Sequence, residues 1–383
     1  MHYDVRGLEK NRRQSLRFSY CYDLVYFFLL LYCDCVLTFF EELMVKKAVL
    51  KNIDYFIPKN VMTNDDLSKL MDTSDSWIQE RTGIKERHFA DDSASTSSLA
   101  LKAIENLKKN TPNALDDIDC IIFATLSPDY FFPGVAPTIQ HKLNLPHIPA
   151  YDIRLQCSAF VYGVQMIDAF IKAGTFKKIL FVTSDIQNRF LDMTTRGRGM
   201  SILFGDAAAC MIFSSEDSQE LPSGKNNISG VIDNMTYSDG SGTEHLLLRA
   251  PGTANPGYIS NKDIDEGRIY PEMNGRFVFK NAVLKMCDVS LKILERNGLK
   301  SSDLALVTPH QANLRISRAI QERLELPDDK IFNNIQKYGN TTSATIPLCI
   351  KEAMNEGRLK KGDLLLALAF GAGFTWGASL IRL

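Results

Sequence analysis

Residues 150–183 read AYDIRLQCSAFVYGVQMIDAFIKAGTFKKILFVT. The first six form a short strand. After Cys157, the residues Phe160, Val164, Ile167 and Ile171 recur at helical spacing, and Gly174 supplies a helix end. Residues 178–183 are a mostly apolar run that reads as a buried strand. Strand, helix and strand in succession imply an α/β protein with largely parallel sheets covered by helices. The same alternation extends outward in both directions. Leu99, Leu101, Ile104 and Leu107 give a helix over 97–107, followed by a strand over 118–125. Further on come helices at 283–294, 315–324 and 346–356 and strands at 304–308 and 363–370, the last running into Gly371-Ala372-Gly373.

The pattern suggests two similar halves, 44–216 and 217–383, joined near 214–227, where SSEDSQELPSGKNN has the composition of a linker. Residues 238–266, rich in Gly, Ser, Asn and Asp, read as an extended loop region. Of 383 residues, 45% are hydrophobic and 23% charged, enough apolar material for a large core. A net charge of −1 gives no reason to expect nucleic acid or an anionic membrane as a general partner. None of the eight cysteines is paired at CxxC spacing, so neither a metal site nor a redox motif is indicated. A reducing cytoplasm is the simplest compartment.

Residues 1–43 are an atypical extension. The run 20–40, YCYDLVYFFLLLYCDCVLTFF, is long enough to span a bilayer and follows Arg12, Arg13 and Arg17. However, Asp23 and Asp34 would be costly at bilayer depth. Met44 opens Met-Val-Lys-Lys-Ala-Val-Leu, ahead of a first strand over 48–53. Glu41-Glu42 is what an in-frame purine-rich ribosome-binding site would encode. The expectation is that translation starts at Met44; a membrane anchor is the competing reading.

Cys157 sits where a strand turns into a helix. Free backbone N–H groups and the positive end of the helix dipole favour a thiolate there and can stabilise an oxyanion on an attacked thioester. His310 follows an apolar strand, where sites gather in parallel sheets. Asn340 lies in Tyr338-Gly339-Asn340-Thr341-Thr342-Ser343, a segment that also invites a plain turn. The Gly371 loop can offer a backbone N–H or be a tight turn only.

The motifs together carry more than each alone. They are TSDSWI (73–78) with RTGI (81–84), QCSAF (156–160), FGD (204–206), VFK (278–280), PHQANLRI (309–316), GNTTSATIP (339–347) and FGAGFTWG (370–377), with His310 and Asn340 30 residues apart. In these motifs the chain from about Lys47 to Leu383 resembles β-ketoacyl-acyl-carrier-protein synthase III, a family of thiolase-fold condensing enzymes. The resemblance implies a five-layer α-β-α-β-α fold from two duplicated halves, usually assembled as a homodimer. It implies that Cys157 takes an acyl group from acyl-coenzyme A and condenses it with malonyl-acyl-carrier protein, with no cofactor and no metal. His310 and Asn340 would stabilise the enolate, and the Cys157 and Ala372 N–H groups would form the other oxyanion hole.

By the same resemblance Trp77 and Arg198 clamp the coenzyme A adenine, and Arg81 and Asn313 contact its pantetheine and phosphates. Gln311 and Arg315 meet the acidic carrier protein, and Phe132 limits the acyl pocket. Gln156 and Ala159 beside the nucleophile depart from the usual pattern, and the 214–272 region is long. These departures leave open a specialised acyl group, or a related condenser that joins two acyl thioesters. A non-catalytic partner subunit would tend to lose the triad, which this chain keeps. Intact-mass measurement of the native protein is expected to give a chain that starts at Met44; a mass that includes residues 1–43 contradicts that start.

Overall fold

The computed structural model describes residues 44–219 and 229–383. Residues 1–43, and with them the expected extension, lie outside that range, as does most of the expected linker. Residues 214–219 instead continue a strand. Thirteen strands occur among the described residues: β1 (Met44–Phe56), β2 (Asn60–Thr63), β3 (Glu86–Phe89), β4 (Cys120–Ala124), β5 (Ala150–Ile153), β6 (Lys178–Asp185), β7 (Ala207–Gln219), β8 (Gly230–Ser238), β9 (Leu246–Leu247), β10 (Glu272–Met273), β11 (Leu306–Pro309), β12 (Leu364–Gly371) and β13 (Thr375–Arg382). Two short antiparallel pairs, β2 with β3 and β9 with β10, lie apart from the two main sheets.

The main sheets run β1-β7-β6-β4-β5 and β8-β13-β12-β11. The second order repeats the first four strands of the first. In each, a parallel pair (β4 with β6, β11 with β12) is followed by an antiparallel one (β6 with β7, β12 with β13). The sheets are therefore mixed, not largely parallel. The βαβ crossovers make the parallel pairs, and a returning strand closes each half antiparallel.

Helices Ala159–Lys172 and Thr345–Asn355 occupy equivalent places, each leading into the central strand of its sheet. Both contribute to one core together with residues of both sheets, including Phe160, Ile167, Ile346, Ile350, Ile122, Phe181, Leu365 and Ala367. The outer face of the first sheet is covered by helices Thr96–Asn110 and Val135–Lys142. The outer face of the second is covered by Gly275–Arg296 and Leu314–Arg323. Five layers result: helices, sheet, central helices, sheet, helices. Residues 47–216 and 229–383 fall in one compact unit. Each fully buried Leu, Ile or Phe contributes about 1.5–3 kcal/mol, and the apolar strands β4, β6 and β12 are buried along nearly their whole length.

Local signals explain the boundaries. Ser95 caps its helix by accepting from Ser98 N, Gly174 takes φ +71° just past the helix it terminates, and Asn313 caps 314–323. Among the described residues, no helix is long and apolar enough to cross a membrane.

Gly163 sets how closely the central helix approaches β6. A Cβ there would stand 2.3 Å from Phe181 Cζ, and Phe181 is fully buried and stacked on Phe160. Gly163→Ala should therefore destabilise the protein by about 1–3 kcal/mol despite its better helix propensity, as read by urea unfolding. Increased stability would contradict this packing.

Candidate active site

The crossover between β5 and β6 delivers Cys157. A single 3-10 turn, Gln156–Ser158, precedes the helix Ala159–Lys172, and Gln156 takes φ +41° to turn the chain. The end of β12 closes over this turn. A Cβ on Gly371 would stand 3.1 Å from Cys157 Cβ, so any side chain there would push the nucleophile turn aside by a few tenths of an ångström. Ser158 Oγ lies 2.9 Å from both Thr375 O and Thr375 Oγ1 and so ties the nucleophile turn to β13.

His310 follows β11, and its N–H donates to Leu368 O at 2.7 Å. The ring is 2% exposed. Its Nδ1 lies 2.6 Å from Thr345 Oγ1, while Nε2 is buried and has no partner. Burial holds the imidazole down to about 3, so it is neutral at physiological pH. Asn340 is held by its backbone between Leu203 and Gly205: Asn340 N donates to Leu203 O at 2.8 Å and Gly205 N donates to Asn340 O at 3.1 Å. This gives the FGD motif its purpose, since a Cβ on Gly205 would strike Tyr338 O at 2.3 Å. Asn340 Oδ1 accepts from Thr342 N at 2.9 Å, which leaves the amide nitrogen as the free end. That side chain favours the Cys157 thiolate.

Cys157, His310 and Asn340 therefore converge, and all three line one cleft of about 610 Å³. Trp77, Arg81, Asn313, Arg315, Phe279, Phe370 and Gly371 line it too. Of the five cysteines among the described residues, Cys157 alone keeps part of its residue surface exposed, although its sulfur lies enclosed. Its thiol nevertheless differs from expectation. Burial and then the nearby Asp185 carboxylate push it up to about 12, against the pull of its own N–H and the Asn340 side chain. The short turn gives the sulfur some N–H contact, but a dense setting beside a buried carboxylate outweighs it.

Several residues sit otherwise than expected. Gln311 is 1% exposed, and its Nε2 donates to Pro309 O at 2.7 Å. It braces the His310 loop and cannot meet a carrier protein. Phe132 is 81% exposed and is absent from the cleft. Asn313 lines the cleft, but each end of its amide already serves the protein: Oδ1 accepts from Arg315 N and Nδ2 donates to Arg81 O, both at 2.9 Å. The Arg198 and Arg81 guanidinium carbons lie 4.7 and 4.4 Å from the Trp77 ring centroid. A purine stacked on Trp77 must displace one of them. Ala372 stands in the β12–β13 turn, next to the Gly371 that packs on Cys157. Arg315 is exposed at the rim, its guanidinium 5.3 Å from the Phe279 ring centroid.

Sequence reasoning missed Thr345 and Asp185. Asp185, at the end of β6, accepts from Leu126 N at 2.7 Å, Ser343 N at 3.1 Å and Ser343 Oγ at 2.5 Å. Thr345 stood within a quoted motif, but its partner is 35 residues away. Among the described residues, no group of three or more His, Cys, Asp or Glu side chains could hold a metal ion.

A fold of this kind with a Cys, His and Asn at the junction of its halves defines a thiolase-fold condensing enzyme. Residues 151–229 match the family model for 3-oxoacyl-[acyl-carrier-protein] synthase III, and 294–383 match that for its C-terminal part. The β-ketoacyl-[acyl-carrier-protein] synthase III of Solibacter usitatus is 41% identical over 336 residues, which is 88% of this chain and 98% of that one. That of Koribacter versatilis is 38% identical over 339 residues, again 88% and 98%. The crystal structure of 3-oxoacyl-[acyl-carrier-protein] synthase III from Aquifex aeolicus superposes with a TM-score of 0.77 at 37% identity, over 88% of this chain and all of that one. OleA of Xanthomonas campestris, at 16% identity and a TM-score of 0.74, shares the fold alone. The chain belongs to the β-ketoacyl-[acyl-carrier-protein] synthase III family, and it is an acyltransferase of the condensing type.

Because the Cys157 thiol is pushed up, its alkylation by iodoacetamide should keep accelerating from about pH 7 past pH 9, with no plateau near the ordinary thiol range of about 8.5. A plateau below about pH 8 would mean that the helix terminus prevails over burial.

Proposed function

We propose that this enzyme loads an acyl group from acyl-coenzyme A onto Cys157 and condenses it with malonyl-acyl-carrier protein. The observation that carries the reading is the pairing of free ends beside the nucleophile. His310 Nε2 and the Asn340 amide nitrogen are both unheld by the protein, whereas their other ends are fixed by Thr345 and by Thr342 N. Two donors preorganised in this way suit an oxygen on which charge develops.

In the first half-reaction the Cys157 sulfur attacks the thioester carbonyl. The carbon–sulfur bond to coenzyme A breaks, and the Cys157 proton ends on the departing thiol. The Cys157 and Ala372 N–H groups hold the oxyanion. In the second half-reaction the malonyl carboxylate leaves as carbon dioxide, and its electron pair forms an enolate. His310 and Asn340 donate to the enolate oxygen. The enolate carbon then attacks the acyl-enzyme carbonyl, a carbon–carbon bond forms, and the Cys157 sulfur is released to regain a proton. Acyl-coenzyme A is a substrate, and every step is carried by the chain's own groups.

The cleft supports a coenzyme A path, with Trp77 and Arg81 along it; Arg198 opens off the indole to admit the adenine. Asn313 shapes the rim through its cap. Arg315 receives the acidic carrier protein, helped by the exposed Arg276 and Lys280 on the neighbouring helix. Tyr130 and Phe131, 68% and 71% exposed, precede Phe132 as consecutive exposed aromatics. The Phe131 ring lies 6.3 Å from that of Phe132 and 6.2 Å from that of Tyr258. An apolar surface of this kind supports a homodimer, and Phe132 serves an acyl pocket only once a second copy covers it. On this reading the enzyme works in the cytoplasm.

Cys157→Ala should abolish acyl transfer. His310→Ala and Asn340→Ala should leave loading of Cys157 intact but slow carbon dioxide release from the malonyl thioester by about 10²–10³ each, measured as labelled carbon dioxide. Normal condensation by Cys157→Ala would refute the mechanism. With His310 neutral down to about pH 3, the decarboxylation rate of the wild-type enzyme should show no histidine limb between about pH 5 and 8.

A further inference from the structure

His310 can donate from Nε2 only in one of its two neutral tautomers, and the structure contains a group that selects between them. Thr345 Oγ1 lies 2.6 Å from His310 Nδ1 and 3.2 Å from Thr342 O. The hydroxyl has a single proton. If that proton goes to Thr342 O, Nδ1 must carry the ring proton and Nε2 presents a lone pair to the cleft. If it goes to Nδ1, the ring proton resides on Nε2 and points into the cleft. The contact to Nδ1 is much the shorter and lies in the range of a strong bond, while the contact to the carbonyl is a long one from a threonine to a residue three positions back.

The surroundings agree. Thr345 is 2% exposed, so water does not compete for its hydroxyl. Burial keeps His310 from taking a second proton, so the choice is between tautomers and not between charge states. We infer that Thr345 is a positioning residue: it donates its hydroxyl proton to His310 Nδ1 and thereby fixes the Nε2–H tautomer beside Asn340. The first turn of the helix Thr345–Asn355 thus sets the polarity of a ring that the end of β11 places.

The kinetic consequence rests on the condensing reading; the tautomer itself does not. The test uses the full-length enzyme with ¹⁵N-labelled histidine, the His310 signals being assigned by their loss in His310→Ala. The wild type should show a protonated Nε2 and a bare Nδ1. Thr345→Val keeps the shape and removes the donor. It should lose the single tautomer and lower kcat for malonyl-thioester decarboxylation about 10–100-fold, the loss typical of groups that orient a histidine through its second nitrogen. KM for that thioester and acyl loading of Cys157 should stay unchanged, and Thr345→Ser should restore both signal and rate. A wild-type ring protonated on Nδ1, or a Thr345→Val enzyme that decarboxylates at the wild-type rate, overturns the inference. If the wild type loads acyl groups but releases no carbon dioxide, the functional reading fails instead, and the wild-type spectrum still decides the tautomer.

Discussion

A buried carboxylate holds the halves of this enzyme in register at the site. Asp185 ends β6, the strand after the nucleophile helix, and is fully buried. It accepts from the chain after β4 through Leu126 N and, across the junction, from Ser343 N and Oγ. The Ser343 turn lies between Asn340 and Thr345, so this one side chain fixes the segment that carries both the amide donor and the histidine's partner. Hydrogen bonds to a charged group contribute about 1.5–3 kcal/mol each, and a donor left unsatisfied costs about as much. Burial raises the Asp185 carboxyl, but the hydroxyl and amide donors around it favour the charged form.

The same carboxylate bears on Cys157. A negative charge near the sulfur raises the thiol and opposes the helix terminus. The site therefore trades resting reactivity for rigid assembly. A protonated thiol resists adventitious alkylation and oxidation, and on attacking a thioester it must give up its proton in the same step. Ser158 and Gly371 serve the same rigidity, one by bonding to Thr375 and the other by leaving room for Cys157.

The alternation of strands and helices was legible from periodicity because its elements are local, whereas the five layers came only with the family resemblance. The helix after Cys157, the apolar strands and Gly174 all announce themselves within a few residues. The mixed character of the sheets was not, since an antiparallel return strand such as β13 is buried nearly as fully as a parallel one. At the site, Cys157, His310 and Asn340 could be named from their motifs, and they do converge. What lies between distant segments stayed hidden. Asp185 and Ser343 meet across 158 residues, and Gln311, a polar residue in a loop, turns inward. Phe132 is exposed in a single chain, which no pattern along the sequence encodes. The neutral state of His310 and the raised thiol of Cys157 follow from burial, which three-dimensional packing alone determines.

The central claim is that Cys157 carries the acyl group in a covalent intermediate. It is tested most directly by intact-protein mass spectrometry, followed by peptide mapping, after exposure to a panel of acyl-coenzyme A thioesters without any malonyl partner. The account requires one acyl group per chain, located on the peptide that contains Cys157, with the preferred thioester revealing the chain length the cleft accepts. An acyl group on another residue, or turnover with no covalent adduct at all, would contradict it.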